Sequence, residues 1–237
     1  MRKIVISQPM FFPWVGMFEQ IRLADICVHY DDAVLPLCGG LTNRVKIKTA
    51  NGSIWMTAPI LRPSEQVISE VQFQNVRNWK KKHLSMLEQS YARAPHADEM
   101  LELVNSIYDL ETSHLAKFNI LALEKISRYF DFDTRFELSS KYKVLTKSSE
   151  KVLELVKTMK GGVYITGHGA YDYLDHELFE QNGVKVQYMD YGRTPYPQLH
   201  GEFDPHVSIL DLIANVGVGG KKFITSGTVD WKDFIHE

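Results

Sequence analysis

Residues 3–32 read KIVISQPMFFPWVGMFEQIRLADICVHYDD, and this stretch decides the fold. The opening KIVIS is rich in β-branched residues and breaks off at Gln8-Pro9, which predicts a buried first strand followed by a loop. That loop holds Pro9, Pro13 and the rings of Phe11, Phe12 and Trp14. From Trp14 onward, apolar residues at Trp14, Met17, Phe18, Ile21 and Leu23/Ala24 recur at helical spacing and predict a short amphipathic helix. ICVHY then reads as a second strand, ending on Asp31-Asp32. Strand, loop, helix and strand within about thirty residues make a βαβ unit, whose crossover sets the strands parallel with the loop at their carboxyl ends. Open α/β sheets bind ligands at that edge. The ring-rich loop is therefore expected to floor a ligand cleft, with Gly16 allowing close approach at the start of the helix.

Downstream the texture changes. RVKIKTA and IWMTAPI flank an Asn51-Gly52 turn and predict a β-hairpin, to which QVISEVQF would add a third strand. A helical pattern follows around NWKKKHLSMLEQSYAR, and another runs unbroken through DEMLELVNSIYDLETSHLAKFNILALEKISRYF. After FELSS the α/β alternation resumes, with helices at SSEKVLELVKTMK and AYDYLDHELFEQN, strands at GVYITG and VKVQYMDY, and a last strong helix at VSILDLIANVG. We therefore expect one α/β domain over residues 1–237 with a mostly parallel, Rossmann-like sheet flanked by helices. A β-hairpin region (43–73) and a helical region (75–131) are inserted within it.

The 237 residues, 44% hydrophobic and 24% charged, are an ordinary globular composition. A net charge of -2 gives no electrostatic ground for nucleic acid or an anionic membrane as partner. The apolar run Ile4-Val5-Ile6 is too short for a signal-peptide core, and no stretch approaches the roughly 20 residues of a membrane span. A cytoplasmic protein without membrane insertion is the expectation. Cys27 falls inside a strand and Cys38 beside two glycines, in no metal-ligand spacing and with no local base.

The opening has the layout of a nucleotidyltransferase, distantly. Trp14-Val-Gly-Met17 stands where those enzymes carry H-x-G-H, and neither tryptophan nor methionine can give a phosphate a charged hydrogen bond. Asp31 and Asp32 suit a divalent cation, a sugar hydroxyl or general-base work, or else a solvated turn or a helix cap. Asn43-Arg44 and the basic WKKKH, with Lys82 and His83, suit a phosphate or a solvated face. His168 follows a predicted strand on the ligand edge, and His200 and His206 flank GEFDP in no zinc spacing, so no metal is expected. Ser208 with Asp211 three residues on has the form of a capping box with Asp in place of Glu.

Together ISQPMFFPWVGMFEQIRLAD, VHYDD, NRVKIK, GSIWMTAPI, WKKKHLSMLEQSYARAP, YITGHGAYDYLD and YPQLHGEFDPHVSILDLIANVG resemble the WbqC-like protein family, in order over nearly the whole chain. The resemblance implies a cytoplasmic bacterial protein of O-antigen or other surface-polysaccharide (lipopolysaccharide) biosynthesis. It also implies transfer of an acyl or aminoacyl group, such as glycyl, to the amine of a nucleotide-linked amino sugar. It carries over Gln8, Trp14, Asp31, Asp32, Asn43, Arg44, His83, Tyr196, Gln198, His206, Ser208 and Asp211 as site candidates without fixed roles; Cys38 and its small neighbours depart from the pattern. On this reading no cofactor is bound, and the acyl donor is a thioester on an acyl carrier protein or coenzyme A. His206 or His83 is the base, Asp31 or Asp32 positions substrate, Arg44 and Lys82 bind phosphate, and Trp14 or Phe12 stacks on a ring. Nucleotidyl or glycosyl transfer in the same pathway stays open as an alternative, as does a non-catalytic module that binds a carrier protein or another enzyme; a homo-oligomer is also left open.

Overall fold

In a computed structural model that describes residues 1–36, 40–61 and 65–234, Ile4, Val5 and Ile6 are buried on both faces of their strand, as a central parallel strand requires. That strand, β1 (Lys3–Ser7), leads through the ring-rich loop to α1 (Val15–Leu23) and β2 (Ile26–His29). The hairpin β3 (Arg44–Thr49) and β4 (Gly52–Thr57) follows, then α2 (Trp79–Tyr91), α3 (Ala97–Tyr108) and α4 (Leu115–Tyr129). The remainder comprises β5 (Arg135–Leu138), α5 (Ser148–Thr158), β6 (Val163–Thr166), α6 (His176–Gln181), β7 (Lys185–Asp190), α7 (Ile209–Val216) and β8 (Gly227–Asp230).

Six strands form one sheet in the order β5-β2-β1-β6-β7-β8, parallel except for β8, and β3-β4 form a separate antiparallel pair. The fold is thus α/β with a mostly parallel sheet flanked by helices. From β1 the chain builds outward through β2 to β5, then returns to the other side of β1 for β6 and β7. The gap between β1 and β6 is therefore the topological switch point, where such sheets open a crevice at their carboxyl edge.

Alternation along the strands sorts side chains into two cores. Ile4, Ile6, Val28 and Tyr164 pack with Leu153, Val156 and Phe179 on one face. Val5, Cys27 and Ile165 share a continuous cluster with Phe18 of α1, Leu87 of α2, Val104 of α3, Phe118 of α4 and Ile213 of α7. Phe11 and Phe12 belong to this second core. Phe12, at φ 42°, sets its ring edge-on to Phe11, Tyr108 and Phe118. Buried Asn119 donates to the carbonyls of Pro9 (3.0 Å) and Thr42 (2.7 Å), pinning the loop after β1 to the approach to the hairpin.

Several elements differ from the reading of the sequence. QVISEVQF makes a 3-10 turn at Ile68–Glu70 instead of a third strand, its pairing limited to isolated bridges such as Val34 with Val67 and Ile60 with Phe73. The long helical pattern divides into α3 and α4 because the Ser113 carbonyl and the Leu115 amide are spent on Phe73 and Val71. The AYDYLDHELFEQN helix begins only at His176, where Asp175 caps it by accepting from the Leu178 amide at 3.0 Å; a 3-10 turn at His168–Ala170 precedes it. β5 and β8, each four residues long, close the sheet at its two edges without a periodic signal.

Candidate functional site

At the switch point the loops after β1 and β6 part around a cleft of about 590 Å³. Its base is Ile6 and Ser7 of β1 with Gln8 just beyond, and Thr166 of β6 with Gly167 and His168 just beyond. Trp14 and Met17 bring in the start of α1, whose first turn holds no acidic residue and has no side-chain cap from Trp14, so its positive end stands uncompensated beside the cleft. Tyr30 enters from the end of β2, and Tyr191 and Arg193 from the end of β7. His206 closes the far wall.

The rings are ordered against one another. Trp14 lies 4.9 Å from Tyr191 and 5.3 Å from His206 between centroids, and His168 lies 5.0 Å from Tyr191. Gln20 donates to the Tyr191 hydroxyl at 2.5 Å, and burial pushes that phenol up to about 12, so it stays a neutral hydrogen-bonding group. His168 Nε2 sits 2.7 Å from the Met189 carbonyl, which can only accept; the neutral ring therefore carries its proton on Nε2 and its lone pair on Nδ1. The His206 ring, exposed, makes no hydrogen bond among the described residues. No carboxylate lines the cleft among the described residues, whereas a guanidinium and two imidazoles do. Such a lining accepts an anion, and its aromatic walls accept a planar ring.

Of the residues singled out from the sequence, the structure brings Gln8, Trp14, His168 and His206 together here. Phe12 is core, as described. Asp31, buried, accepts from Ser139 Oγ (3.0 Å), the Ser140 amide (3.1 Å) and Ser140 Oγ (2.7 Å). Asp32 accepts from Ser139 Oγ (2.5 Å) and pairs with Lys151 at 2.6 Å, so the acidic pair clamps the end of β2 to the turn after β5. Asn43 donates to the Ala58 carbonyl at the base of the hairpin, and the Arg44 guanidinium lies 4.5 Å over Trp55. Lys82 is exposed on α2 and lines no part of the cleft.

Tyr196 and Asp211, both buried, form a network with the half-buried Gln198. Asp211 accepts from Tyr91 (3.0 Å), Tyr196 (2.9 Å) and Gln198 (2.8 Å), while Lys48 donates to the Gln198 side chain at 2.7 Å. Ser208 does cap α7, accepting from the Leu210 amide, but the capping box does not close: the Ser208 amide goes to the Lys46 carbonyl (2.8 Å), and Asp211 turns to the tyrosines. Ser208 Oγ also donates to the Phe12 carbonyl at 2.7 Å, tying the ring-rich loop, the hairpin and α7 together.

His83 lies away from the cleft, buried, with Nδ1 2.9 Å from the Tyr108 hydroxyl and Nε2 3.1 Å from the Thr57 carbonyl. Burial lowers its pKa to about 4. An unfolded-chain histidine titrates near 6.5, so the unfolded state takes up a proton that the native state refuses. Stability is then expected to fall as pH drops from about 6.5 toward 4, by about 1.4 kcal/mol per pH unit. Urea midpoints measured across this range should slope in the native protein and flatten in His83→Gln; parallel slopes would refute the assignment.

Cys27 is buried, its thiol pushed up to about 12 by burial and by Glu124, while Cys38 lies outside the described residues. Among the described residues no three of His, Cys, Asp and Glu are grouped as a metal ion would need, and no helix is long and apolar enough to cross a membrane. Arg193, Tyr191, Tyr30 and Gln20 were not anticipated. The usable signal was position: Tyr191 directly follows a parallel strand, with Arg193 two residues on.

The model of the WbqC-like protein family matches residues 8–222. The chain belongs to the WbqC-like protein family. This WbqC-like chain is also 33% identical over 229 residues to a Mycobacterium tuberculosis (strain ATCC 25618 / H37Rv) protein described as uncharacterized protein Rv1507c, covering 94% of this chain and 98% of that one. No solved structure matches it. The matched span takes in the switch-point cleft from Gln8 to His206, all of its lining except Ile6 and Ser7.

Proposed function

We propose that this WbqC-like chain is a cytoplasmic N-acyltransferase of bacterial surface-polysaccharide synthesis that acylates, or aminoacylates, the amine of a nucleotide-linked amino sugar. The observation that carries the reading is the lining of the switch-point cleft: Arg193, two imidazoles and aromatic rings tilted against one another, with no carboxylate among the described residues. A nucleotide sugar offers a diphosphate to the guanidinium and to the positive end of α1, and a base or sugar face to Trp14 and the tyrosines.

The chemistry needs a proton acceptor more than a protein nucleophile. The sugar amine attacks the carbonyl carbon of a thioester, forming the C–N bond; the C–S bond breaks as the tetrahedral intermediate collapses. His206 takes the proton lost by the amine and returns it to the departing thiolate, so the products are an amide and a free thiol. His206 is favoured over His83 because its ring lies in the cleft without a hydrogen bond among the described residues, whereas both nitrogens of His83 are engaged in the core.

The purified protein, given nucleotide-linked amino sugars with acyl-coenzyme A or acyl-carrier donors, is expected to yield one free thiol per amide formed. Release of pyrophosphate or nucleoside diphosphate would replace the reading with nucleotidyl or glycosyl transfer. Stable carrier binding with no product from any pair would replace it with a non-catalytic module.

A further inference from the structure

A second cavity, of about 230 Å³, is bounded by Trp14, Leu41, Lys46, Trp55 and His206. Trp14 and His206 also line the main cleft, so two rings whose centroids lie 5.3 Å apart form a wall common to both spaces. The outer side belongs to the hairpin. There Trp55, 43% exposed, lies opposite Lys46 in the register, with the Arg44 guanidinium 4.5 Å and the Lys46 ammonium 5.5 Å from its ring centroid. Lys46 has no carboxylate partner among the described residues. The hairpin is fixed to this wall: the Ser208 amide, two residues beyond His206, donates to the Lys46 carbonyl, and Ser208 Oγ holds the loop of Trp14 through the Phe12 carbonyl.

We infer that this cavity is the acyl-donor subsite and that it takes a phosphopantetheine thioester, with the phosphate at Lys46 and the thioester against His206; the inference rests on the acyl-transfer reading. A pocket walled by Trp14, Leu41 and Trp55, with a lysine among its lining, suits an uncharged arm that ends in a phosphate. Two substrates must reach one proton acceptor, and His206 borders both spaces. The amine comes from the main cleft and the thioester carbonyl from the hairpin side; the C–N bond forms at the shared wall, and the thiol leaves along the pocket by which it entered.

Calorimetry with 4′-phosphopantetheine tests this, because the probe has no nucleotide to occupy the main cleft. The native protein is expected to bind it, Lys46→Glu to weaken binding at least about ten-fold by reversing the charge that meets the phosphate, and Trp55→Ala to weaken it measurably. Affinity for a nucleotide-linked sugar should stay within about two-fold in both variants, since neither residue lines the main cleft. Coenzyme A and a holo acyl carrier protein, titrated in parallel, separate the two sources of the arm: the natural one binds more tightly than the bare arm and loses that affinity in Lys46→Glu. No binding to the native protein, unchanged binding in both variants, or competition between the probe and the nucleotide sugar would overturn the subsite. Binding that depends on Lys46 with no amide from any sugar would uphold the subsite and remove acyl transfer as the function.

Discussion

Replacing His206 with alanine is expected to lower kcat for amide formation by about 10²–10⁴-fold, the usual worth of a positioned general base. The side chain is exposed and its ring makes no hydrogen bond among the described residues, so the fold should tolerate the change, with a Tm near that of the native protein. The loss should fall on kcat more than on KM, because a proton acceptor acts as the amine attacks and contributes little to binding beforehand. Single-turnover amide formation, followed by mass spectrometry alongside a melting curve, checks both parts. A native rate in the variant would remove His206 from the chemistry.

The second large effect is on stability. Asp211 is fully buried and gathers the hydroxyls of Tyr91 and Tyr196 and the amide of Gln198, with the Lys48 ammonium nearby. Burial raises its pKa, and those donors and the Lys48 charge oppose the rise. Asp211→Leu would leave the buried Tyr91 and Tyr196 hydroxyls without their acceptor and remove the charge that faces the buried Lys48 ammonium, a change that costs about 3–5 kcal/mol. For a chain of this size that corresponds to a fall in Tm of about 10 °C. A Tm within about 2 °C of native would mean that the network is dispensable. Protein that remains folded should keep its affinity for a nucleotide sugar, because Asp211 lines no part of the main cleft.

The opening βαβ unit was legible because each of its signals is local: a β-branched run, a Gln-Pro break, apolar positions at helical spacing and a second apolar run. The placement of Gln8 and Trp14 followed from it, and that of His168 from the later strand GVYITG, since the loop after a parallel strand lands on the carboxyl edge. Arg193 escaped notice because nothing in YGRTPYP marks one basic residue as a ligand; its place depends on the pairing of β7 with β6. The acidic pair shows the opposite limit. Residue type made Asp31 and Asp32 candidates for chemistry, but their partners Ser139, Ser140 and Lys151 lie more than a hundred residues away, and only the folded sheet shows those oxygens engaged. Tyr196, Gln198, Ser208 and Asp211 likewise stood out as a motif, and the burial of Tyr196, Ser208 and Asp211 distinguishes a polar network inside the core from a site open to a ligand. QVISEVQF, read as a strand, lacks the continuous partner a ladder needs and keeps only single bridges.

The claim on which the rest depends is that the switch-point cleft holds the nucleotide sugar through Arg193. Arg193 is exposed and holds φ 45°, a left-handed conformation uncommon for such a side chain, so its charge can be reversed without opening the core. Calorimetric titration of the native protein and of Arg193→Glu with a nucleotide-linked amino sugar tests the claim most directly. The account predicts saturable binding to the native protein and affinity at least about thirty-fold weaker in the variant, from loss of a diphosphate contact and gain of a repelling carboxylate, with the Tm unchanged. Equal affinity in the two proteins, or no binding to the native one, would contradict it.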